Sequence, residues 1–322
     1  MSARSAPQLI ALDWGTTSLR GYLLGDDGSV LERRTEPLGI LQVPERDFRG
    51  AFDVTTREWR DRYPALPAIA SGMIGSAQGW IEAPYTSLPA DIDSVAHSLA
   101  AVPEVGLQII PGLVQRGGAP DVMRGEETQL FGAMGSSRVL EDGGVAVLPG
   151  THSKWARVEG RGIIGFTTYM TGELFAVLSR HSILGRLAEP PGDDAEPGSA
   201  FARGVRYARD ASGGLAGVLF SARSAVLAGD LRAEDSLEYL SGMLIGDEVR
   251  AGLASGDRPR MLIGEPALCA RYAAAFGEFG VGEIAMLGDT APAGLWEIAL
   301  RASPDLQRAS RSSRRPVSDG EN

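Results

Sequence analysis

The chain of 322 residues is poor in the residue types that mark several common protein classes. Its one cysteine, Cys269, excludes a disulfide within the chain, and with three histidines it supplies too few ligands for a zinc cluster. No apolar run reaches the length of a membrane span, and residues 1–8 lack the apolar core of a signal peptide. These absences predict a cytoplasmic protein.

Positive charge is also scarce. The 31 Lys and Arg residues face 41 Asp and Glu residues, so the net charge is −10 and partners such as nucleic acids or anionic membranes are disfavoured. An anionic substrate must then be met by local cations. Of the 31 basic residues, only Lys154 is a lysine. A compact, mobile ammonium group differs from a planar guanidinium, which makes Lys154 a candidate for a specific role.

Two familiar nucleotide-binding motifs are absent. The chain contains neither the Gly-x-x-x-x-Gly-Lys-Ser/Thr motif nor a complete Gly-x-Gly-x-x-Gly motif, which disfavours the P-loop and dinucleotide-binding classes. The length suffices for two domains of ordinary size, and 42 glycines predict many tight turns.

An apolar strand that ends in an acid is present near the N-terminus. Leu9-Ile10-Ala11-Leu12 leads to Asp13, then to the turn Gly15-Thr16-Thr17-Ser18 and a second apolar run that begins at Leu19. This pattern predicts a β-hairpin whose tip offers N–H groups and three hydroxyls to a phosphate. Asp13 is placed to hold a metal ion that accompanies the phosphate.

A similar element recurs about 135 residues further on. The strand 145–148 runs into Pro149, Gly150-Thr151-His152-Ser153 and Lys154, so both segments carry Gly-Thr-x-Ser after an apolar strand. We interpret the pair as a degenerate internal duplication, in which two similar halves each contribute a phosphate-binding hairpin to a shared cleft. His152 and Lys154 add donors to the second hairpin.

Three further segments are candidates for the site. A short strand, 68–70, enters the small-residue loop Ser71-Gly72-Met73-Ile74-Gly75-Ser76, whose backbone a ligand could approach closely. Trp80 follows, either as part of an aromatic wall for a sugar or as a core residue. A turn at Arg124-Gly125 precedes a helix that begins with Glu126 and Glu127. These acids either complement the helix dipole, or one of them faces the cleft as a general base.

The C-terminal half contains a strand, a glycine turn and a helix start, with Gly264-Glu265 at the turn, as in general nucleotide-binding units. We assign the adenosine of a nucleotide to this unit. The apolar stripe of the helix 234–254 is assigned to the core. From Pro304 onward the chain is rich in Ser and Arg and is expected to be disordered. The expected domains are 7–138 and 139–303, followed by a tail, 304–322.

Together these elements indicate phosphoryl transfer, in which a protein chiefly positions groups and neutralises charge. Asp13 would hold Mg²⁺, both hairpins would bind the β- and γ-phosphates, and Lys154 would offset charge on the transferred group. Glu126 or Glu127 is the expected general base, with Glu173 and Asp289 as alternatives.

Several segments resemble one family. Asp13-x-Gly-Thr-Thr-x-x-Arg20 resembles the first phosphate motif of the actin, sugar kinase and heat-shock chaperone superfamily. More narrowly, four segments resemble the 2-dehydro-3-deoxygalactonokinase family: 12–20, 124–129, 148–155 and 169–175. The resemblance implies an α/β fold of two actin-like ATPase domains, that is, a duplicated ribonuclease H-like fold, with a cleft between the domains.

The same resemblance implies ATP- and Mg²⁺-dependent phosphorylation of 2-dehydro-3-deoxy-D-galactonate at its terminal 6-hydroxyl, in galactonate catabolism. The alternatives are a kinase of the gluco epimer, or a phosphatase or nucleotide switch of the same fold. The superfamily usually has an acid in the second hairpin, where this chain has Pro149 and His152. Metal binding would then rest on Asp13 alone. The sugar acid is assigned to the loop from Ser71 with Trp80, and Arg20, Arg124 and Glu173 are further candidates.

Overall fold

The computed structural model describes residues 5–189 and 198–313. Fifteen strands are found there: β1 Pro7–Trp14, β2 Leu19–Gly25, β3 Val30–Glu36, β4 Ala68–Gly72, β5 Tyr85–Ser87, β6 Ala90–Asp91, β7 Ala100–Val102, β8 Leu107–Ile109, β9 Gly112–Gln115, β10 Asp121–Met123, β11 Gly144–Leu148, β12 Ser153–Glu159, β13 Gly162–Tyr169, β14 Pro259–Ile263 and β15 Ala285–Leu287. The α-helices of the same residues are α1 Phe48–Arg62, α2 Ile92–Ala96, α3 Glu126–Ser136, α4 Thr171–His181, α5 Ser199–Asp210, α6 Gly214–Val218, α7 Ser221–Leu227, α8 Ser236–Ala254, α9 Pro266–Glu278, α10 Ala291–Ala302 and α11 Pro304–Ser313.

The chain divides into two compact units. Unit 1 contains Met1–Gly143, Val158–Gly165 and Asp289–Asn322, and unit 2 contains Gly144–Arg157 and Phe166–Gly288. This division differs from the expected domain boundaries, because α10 packs on α3 and β1 of unit 1 although it lies near the C-terminus. Sequence order alone does not reveal such a return of the chain.

Unit 1 is built on a sheet with the strand order β3-β2-β1-β4-β8-β7. β1, β2 and β3 form an antiparallel meander, as their short connections require, whereas β1, β4 and β8 run parallel. Leu12 and Trp14 of β1 pack with Phe52 and Trp59 of α1 in the core of this unit. A second sheet of unit 1 has the order β10-β9-β5.

The sheet of unit 2 repeats this plan. Its strand order includes β15-β14-β11-β12-β13, in which β11, β14 and β15 run parallel and β11, β12 and β13 follow one another through short turns. Unit 1 has the same order in β8-β4-β1-β2-β3. The predicted internal duplication is therefore present at the level of strands, with β1 corresponding to β11.

The expected tail is partly wrong. Pro304–Ser313 forms α11, in which Leu306 is buried and the Gln307 side-chain amide donates to the carbonyl of Leu300 at 2.7 Å. Leu306 and this hydrogen bond attach α11 to the end of α10. The low number of apolar residues after Pro304 does not predict such an attachment. Residues 314–322 lie outside the described residues.

Candidate active site

The first predicted hairpin is found in unit 1. Its turn, Gly15 to Ser18, joins β1 to β2, and the Gly15 N–H donates to the Ser18 carbonyl at 2.9 Å. The carbonyls of Gly15 and Thr16 accept from the N–H groups of Ile40 and Leu41, which fixes the back of the turn. Thr16 and Thr17 are exposed. The turn is thus held by backbone bonds on one side, while Thr16 and Thr17 are open to solvent and accessible to an anion.

Asp13 lies beside this turn, on β1, opposite Arg20 of β2 and Ser71 of β4. Its Oδ2 accepts from Arg20 Nη1 at 3.3 Å, and only 16% of its side chain is exposed. Burial raises the pKa of Asp13 to about 6. Arg20 opposes this shift, whereas the charges of Asp289 and Glu126 add to it. Burial is thus the main cause of the raised pKa of Asp13, and two further carboxylates of unit 1 act on it in the same direction.

Asp289 already has two partners near Asp13. Its Oδ2 accepts from the Tyr22 hydroxyl at 2.8 Å and forms an ion pair with Arg33. Burial, followed by the charge of Asp289, raises the pKa of Tyr22. Both partners lie on the neighbouring strands of the meander, so the structure favours Asp289 as a group that anchors β2 and β3.

Glu127, one of the two expected bases, is fully buried at the start of α3. Its Oε2 accepts from the Gly125 N–H at 2.7 Å, and its Oε1 accepts from the Thr128 hydroxyl at 3.0 Å. Burial, and then the charge of Glu126, raise the pKa of Glu127 to about 7. Both oxygens are used within the helix start, so this residue stabilises the turn at Gly125.

Glu126 has a different environment. It is partly exposed, its Oε2 accepts from the Arg124 N–H at 3.0 Å, and its charge acts on Asp13. Of the two neighbouring acids, Glu126 is therefore the one whose carboxylate lies toward the Asp13 end of unit 1. The sequence predicted the acidic pair, and the structure shows that its two members differ in burial.

The loop after β4 lies next to the same groups. Ser71, at the end of β4, is 1% exposed, and Gly72 has φ +91°, where a Cβ would lie 2.7 Å from the Trp14 carbonyl oxygen. A Cβ added at Gly125 would lie 3.3 Å from the Gly72 Cα. The ends of β1 and β4 and the turn before α3 thus converge, and glycine at position 72 permits their close approach.

The other residues of this loop are less available than expected. Met73–Gly75 forms a 3-10 helix, Ile74 is fully buried and Met73 packs against the core. Trp80 contacts Trp14 and Phe52 edge to face, with ring centroids 6.5 and 5.9 Å apart, and belongs to the same core. Trp80 is partly buried by this packing, which favours the core alternative, and its contact with a sugar stays a prediction.

The two candidate arginines differ in their partners. Arg20 forms its ion pair with Asp13 and is 44% exposed in its side chain. Arg124 is 9% exposed, stacks on the Tyr85 ring at 4.3 Å and donates from Nη2 to the Ala83 carbonyl at 2.9 Å. Arg20 is therefore a structural partner of Asp13, and Arg124 is a buried cation.

The second hairpin, in unit 2, is offset by one residue from the expected match. Four residues, 149–152, connect β11 to β12, just as 15–18 connect β1 to β2. Counted from the strand ends, Lys154 corresponds to Arg20 and Ser153 to Leu19, so the shared Gly-Thr-x-Ser letters do not occupy equivalent places. Thr151 is exposed in the turn, whereas Ser153 is fully buried in the strand. Ser153 is therefore not placed to bind phosphate.

The position of Ser153 is explained by a buried carboxylate, that of Glu248, which was not predicted from the sequence. Glu248 of α8 accepts at Oε1 from the Ser153 hydroxyl at 2.6 Å and from Trp155 Nε1 at 2.8 Å. At Oε2 it accepts from the Tyr272 hydroxyl at 2.6 Å and from the Thr171 hydroxyl. Burial raises the pKa of Glu248, and these four donors oppose the shift.

Glu248 thus joins the second hairpin to α4, α8 and α9. A signal for it exists in the sequence: it follows Leu244 by four residues and Ile245 by three, so it lies on the buried apolar face of α8. A charged residue at such a position needs partners, because burial of an unpaired charge is costly.

Lys154 is 5% exposed. Its Nζ donates to the Thr168 hydroxyl at 2.8 Å and lies 6.0 Å from the centre of the Phe166 ring, both on β13. The single lysine of the chain is therefore held between β12 and β13 of unit 2.

The turn of the second hairpin also contacts the start of α4. His152 Nε2 and Glu173 Oε2 are 2.5 Å apart, and the Glu173 N–H donates to the Thr151 carbonyl at 3.0 Å. A Cβ added at Gly172 would lie 2.5 Å from the Gly150 carbonyl oxygen. Glu173, expected at the sugar acid, therefore lies with the second hairpin in unit 2.

At the glycine turn after β14, Gly264 has φ +140°, and its N–H donates to the Leu287 carbonyl at 3.0 Å. The Glu265 carboxylate accepts from the N–H groups of Ala267 and Leu268 at 3.0 and 2.7 Å, and these bonds lower its pKa. Glu265 thus occupies the N-terminus of α9 with a negative charge. This helix start is therefore unsuited to a phosphate, and only the adenosine assignment remains for it.

Comparison with known proteins identifies the family. The sequence profile of the 2-keto-3-deoxy-galactonokinase family matches residues 13–298. The chain belongs to this family. It is 37% identical over 294 residues to the 2-dehydro-3-deoxygalactonokinase of Escherichia coli (strain K12), with 90% of this chain and 97% of that protein covered.

Two further relatives agree with membership of the 2-keto-3-deoxy-galactonokinase family. The Rhizobium meliloti (strain 1021) protein named "Probable 2-dehydro-3-deoxygalactonokinase DgoK1" is 39% identical over 248 residues, which are 76% of this chain and 80% of that protein. A crystal structure assigned to a 2-dehydro-3-deoxygalactonokinase of Sinorhizobium meliloti superposes with a TM-score of 0.82 at 35% identity, covering 92% of this chain and 99% of that one.

Proposed function

We propose that this protein is a kinase that transfers the γ-phosphoryl group of ATP to the 6-hydroxyl of 2-dehydro-3-deoxy-D-galactonate. The observation that carries the proposal is the family match over residues 13–298, which includes Asp13, the exposed threonines of the first turn and Glu126. Two curated relatives are named for this activity. We place the protein in galactonate breakdown on the same ground.

Asp13 is the residue that we assign to Mg²⁺. Burial and the charges of Asp289 and Glu126 disfavour the ionised form of its carboxylate, and a cation bound beside it would stabilise that form. Within residues 5–189 and 198–313, no group of three Asp, Glu, His or Cys side chains is arranged to bind a metal alone. Mg²⁺ commonly binds through one or two carboxylates plus substrate phosphates, and it would supply charge neutralisation on those phosphates.

Glu126 is assigned as the general base. It is the partly exposed member of the acidic pair, its charge acts on Asp13, and the neighbouring Glu127 has both oxygens bonded within the helix start. A general base must reach the proton of the acceptor hydroxyl. A fully buried carboxylate cannot reach it.

The exposed hydroxyls of Thr16 and Thr17 are assigned to a phosphate of ATP, and in unit 2 the turn Gly150-Thr151-His152 is assigned likewise. The segment Gly264-Glu265 is assigned to the adenosine. Lys154 retains its assignment to the transferred group, as the one lysine beside this turn, although its amino group bonds to Thr168 in this state.

An assay of ADP release over a panel of sugar acids tests the proposal. We expect ATP consumption only with the 2-dehydro-3-deoxy acid, with the galacto epimer preferred to the gluco epimer, and formation of the 6-phosphate by NMR. ATP turnover with water alone, or activity only on phosphate chains, would contradict the kinase proposal.

The base assignment is tested within the same assay. Glu126→Gln should lower kcat by about 10²- to 10⁴-fold, the usual contribution of a general base. Glu127→Gln should act mainly on stability. Equal losses of kcat in the two variants would contradict the assignment.

A further inference from the structure

Arg124 is a buried cation without an anionic partner. It is 9% exposed, and within the described residues no carboxylate forms an ion pair with its guanidinium. Its Nε and Nη1 atoms are buried and have no hydrogen-bond partner. A buried charge in such a position is costly unless an anion compensates it.

Other unpartnered polar atoms lie in the same part of unit 1. Within the described residues, seven buried side-chain nitrogen or oxygen atoms have no partner, and five of them belong to Ser71, Ser76, Thr86 and Arg124. Ser76 follows Gly75, where an added Cβ would lie 3.0 Å from Arg124 Nη1. Of these unsatisfied hydroxyls, that of Ser76 therefore belongs to the segment that packs against the guanidinium.

The guanidinium is also held in place. Nη2 donates to the Ala83 carbonyl at 2.9 Å, the Tyr85 ring lies 4.3 Å from its central carbon, and Gly75 packs against Nη1. These contacts fix the group while leaving two donors for a ligand. Arginine suits this role, because its planar, permanently charged group binds carboxylates well and loses little freedom on binding.

We propose, on the basis of the proposed function, that Arg124 binds the carboxylate of the sugar acid and that the Ser76 hydroxyl is a second donor to it. The acidic groups Asp13, Glu126 and Asp289 of the same unit repel an anionic substrate, so a cation must offset them. The carboxylate is the only group of this sugar acid that is charged at neutral pH. Nε and Nη1 are covered in this state, so binding of the carboxylate requires Gly75, which packs against Nη1, to move aside.

Two substrates and four variants test the proposal. The substrates are the sugar acid and a neutral analogue whose carboxylate is reduced to a primary alcohol. Loss of a charged hydrogen bond should raise the KM of Arg124→Gln for the acid about 10- to 100-fold, with the KM for ATP unchanged. The wild type should prefer the acid to the analogue by a similar factor, and Arg124→Gln should lose that preference. Ser76→Ala should weaken it less.

Arg60→Gln is the matched control, because Arg60 also stacks on an aromatic ring, that of Phe52, and pairs with Asp53 in unit 1. It should change neither KM. Arg124→Lys, which keeps the charge, should recover part of the preference if Arg124→Gln folds poorly.

The outcomes separate this proposal from the proposed function. If the wild type phosphorylates no sugar acid, the proposed function fails. If it phosphorylates the acid and the neutral analogue equally well, or if Arg124→Gln loses thermal stability but keeps the preference for the acid, then the function stands and the role of Arg124 is overturned.

Discussion

Replacing Glu248 tests the network that holds the second hairpin. Glu248→Met fills a similar volume but removes the acceptor for four buried donors, those of Ser153, Trp155, Thr171 and Tyr272. Each buried donor left without a partner costs about 1–3 kcal/mol. The hydroxyls can turn toward other acceptors, whereas the Trp155 indole N–H only donates. Removing a buried carboxylate also removes its desolvation cost, which offsets part of this loss. The free energy of unfolding is therefore expected to fall by about 2–5 kcal/mol.

Glu248→Gln should be much milder. Its carbonyl oxygen can keep the Ser153 and Trp155 bonds, and its amide N–H groups can donate to the Thr171 and Tyr272 hydroxyls, which accept as well as donate. We expect a loss of about 1 kcal/mol or less. For a unit of this size, each kcal/mol corresponds to a shift in Tm of about 2–4 °C, so the two variants should be separable by calorimetry.

The control is Glu238→Met, the same substitution at a half-exposed position of the same helix, α8, where the glutamate pairs with Arg271. Its effect should stay within about 0.5 kcal/mol. Unfolding by urea should rank the variants in the same order as calorimetry. If Glu248→Met is as stable as Glu248→Gln or more stable, then packing and not hydrogen bonding sets the role of residue 248, and the reasoning is refuted.

Two other predictions concern buried ionisable groups. The pKa of Glu127 is about 7 in the folded protein against 4.5 ordinarily, so the folded state binds more protons and stability falls as pH rises from about 4.5 to 7, by up to about 3 kcal/mol. Urea unfolding at pH 5 and pH 8 should show a smaller fall for Glu127→Gln, and an identical fall would contradict the burial argument. Lys154→Met should lower kcat by more than it raises the KM for ATP, because a charge aimed at the transferred group matters most in the transition state; an unchanged kcat would leave Lys154 a structural residue of β12.

Residues close together in sequence were the most predictable. The hairpin with Asp13 and the turn at Gly15 follows from an apolar run, an acid and small polar residues within about ten positions. The helix start at Glu126 follows from its glycine and its acids. These local patterns depend on backbone geometry and solvation within one turn, so they are visible without the fold.

Residues that depend on distant contacts were less predictable. For Trp80 the sequence left a sugar wall and core packing open, and the contacts with Phe52 and Trp14 favour core packing. Ser153 was expected at a phosphate, but a one-residue offset turns it toward Glu248, since neighbouring residues of a strand point to opposite faces. Neither outcome is encoded in the few residues around the position.

By itself the sequence determined the kind of chemistry, because Asp13, the hydroxyl turns and the acidic pair are chemical groups that no folding changes. The tertiary structure decided which of them are available. It separated Glu126 from Glu127 by burial, paired Arg20 with Asp13, and left Arg124 buried with unpaired donors. The physical reason is that burial and pairing arise from contacts between strands and helices far apart in the chain, and these contacts set the charge and reach of each group.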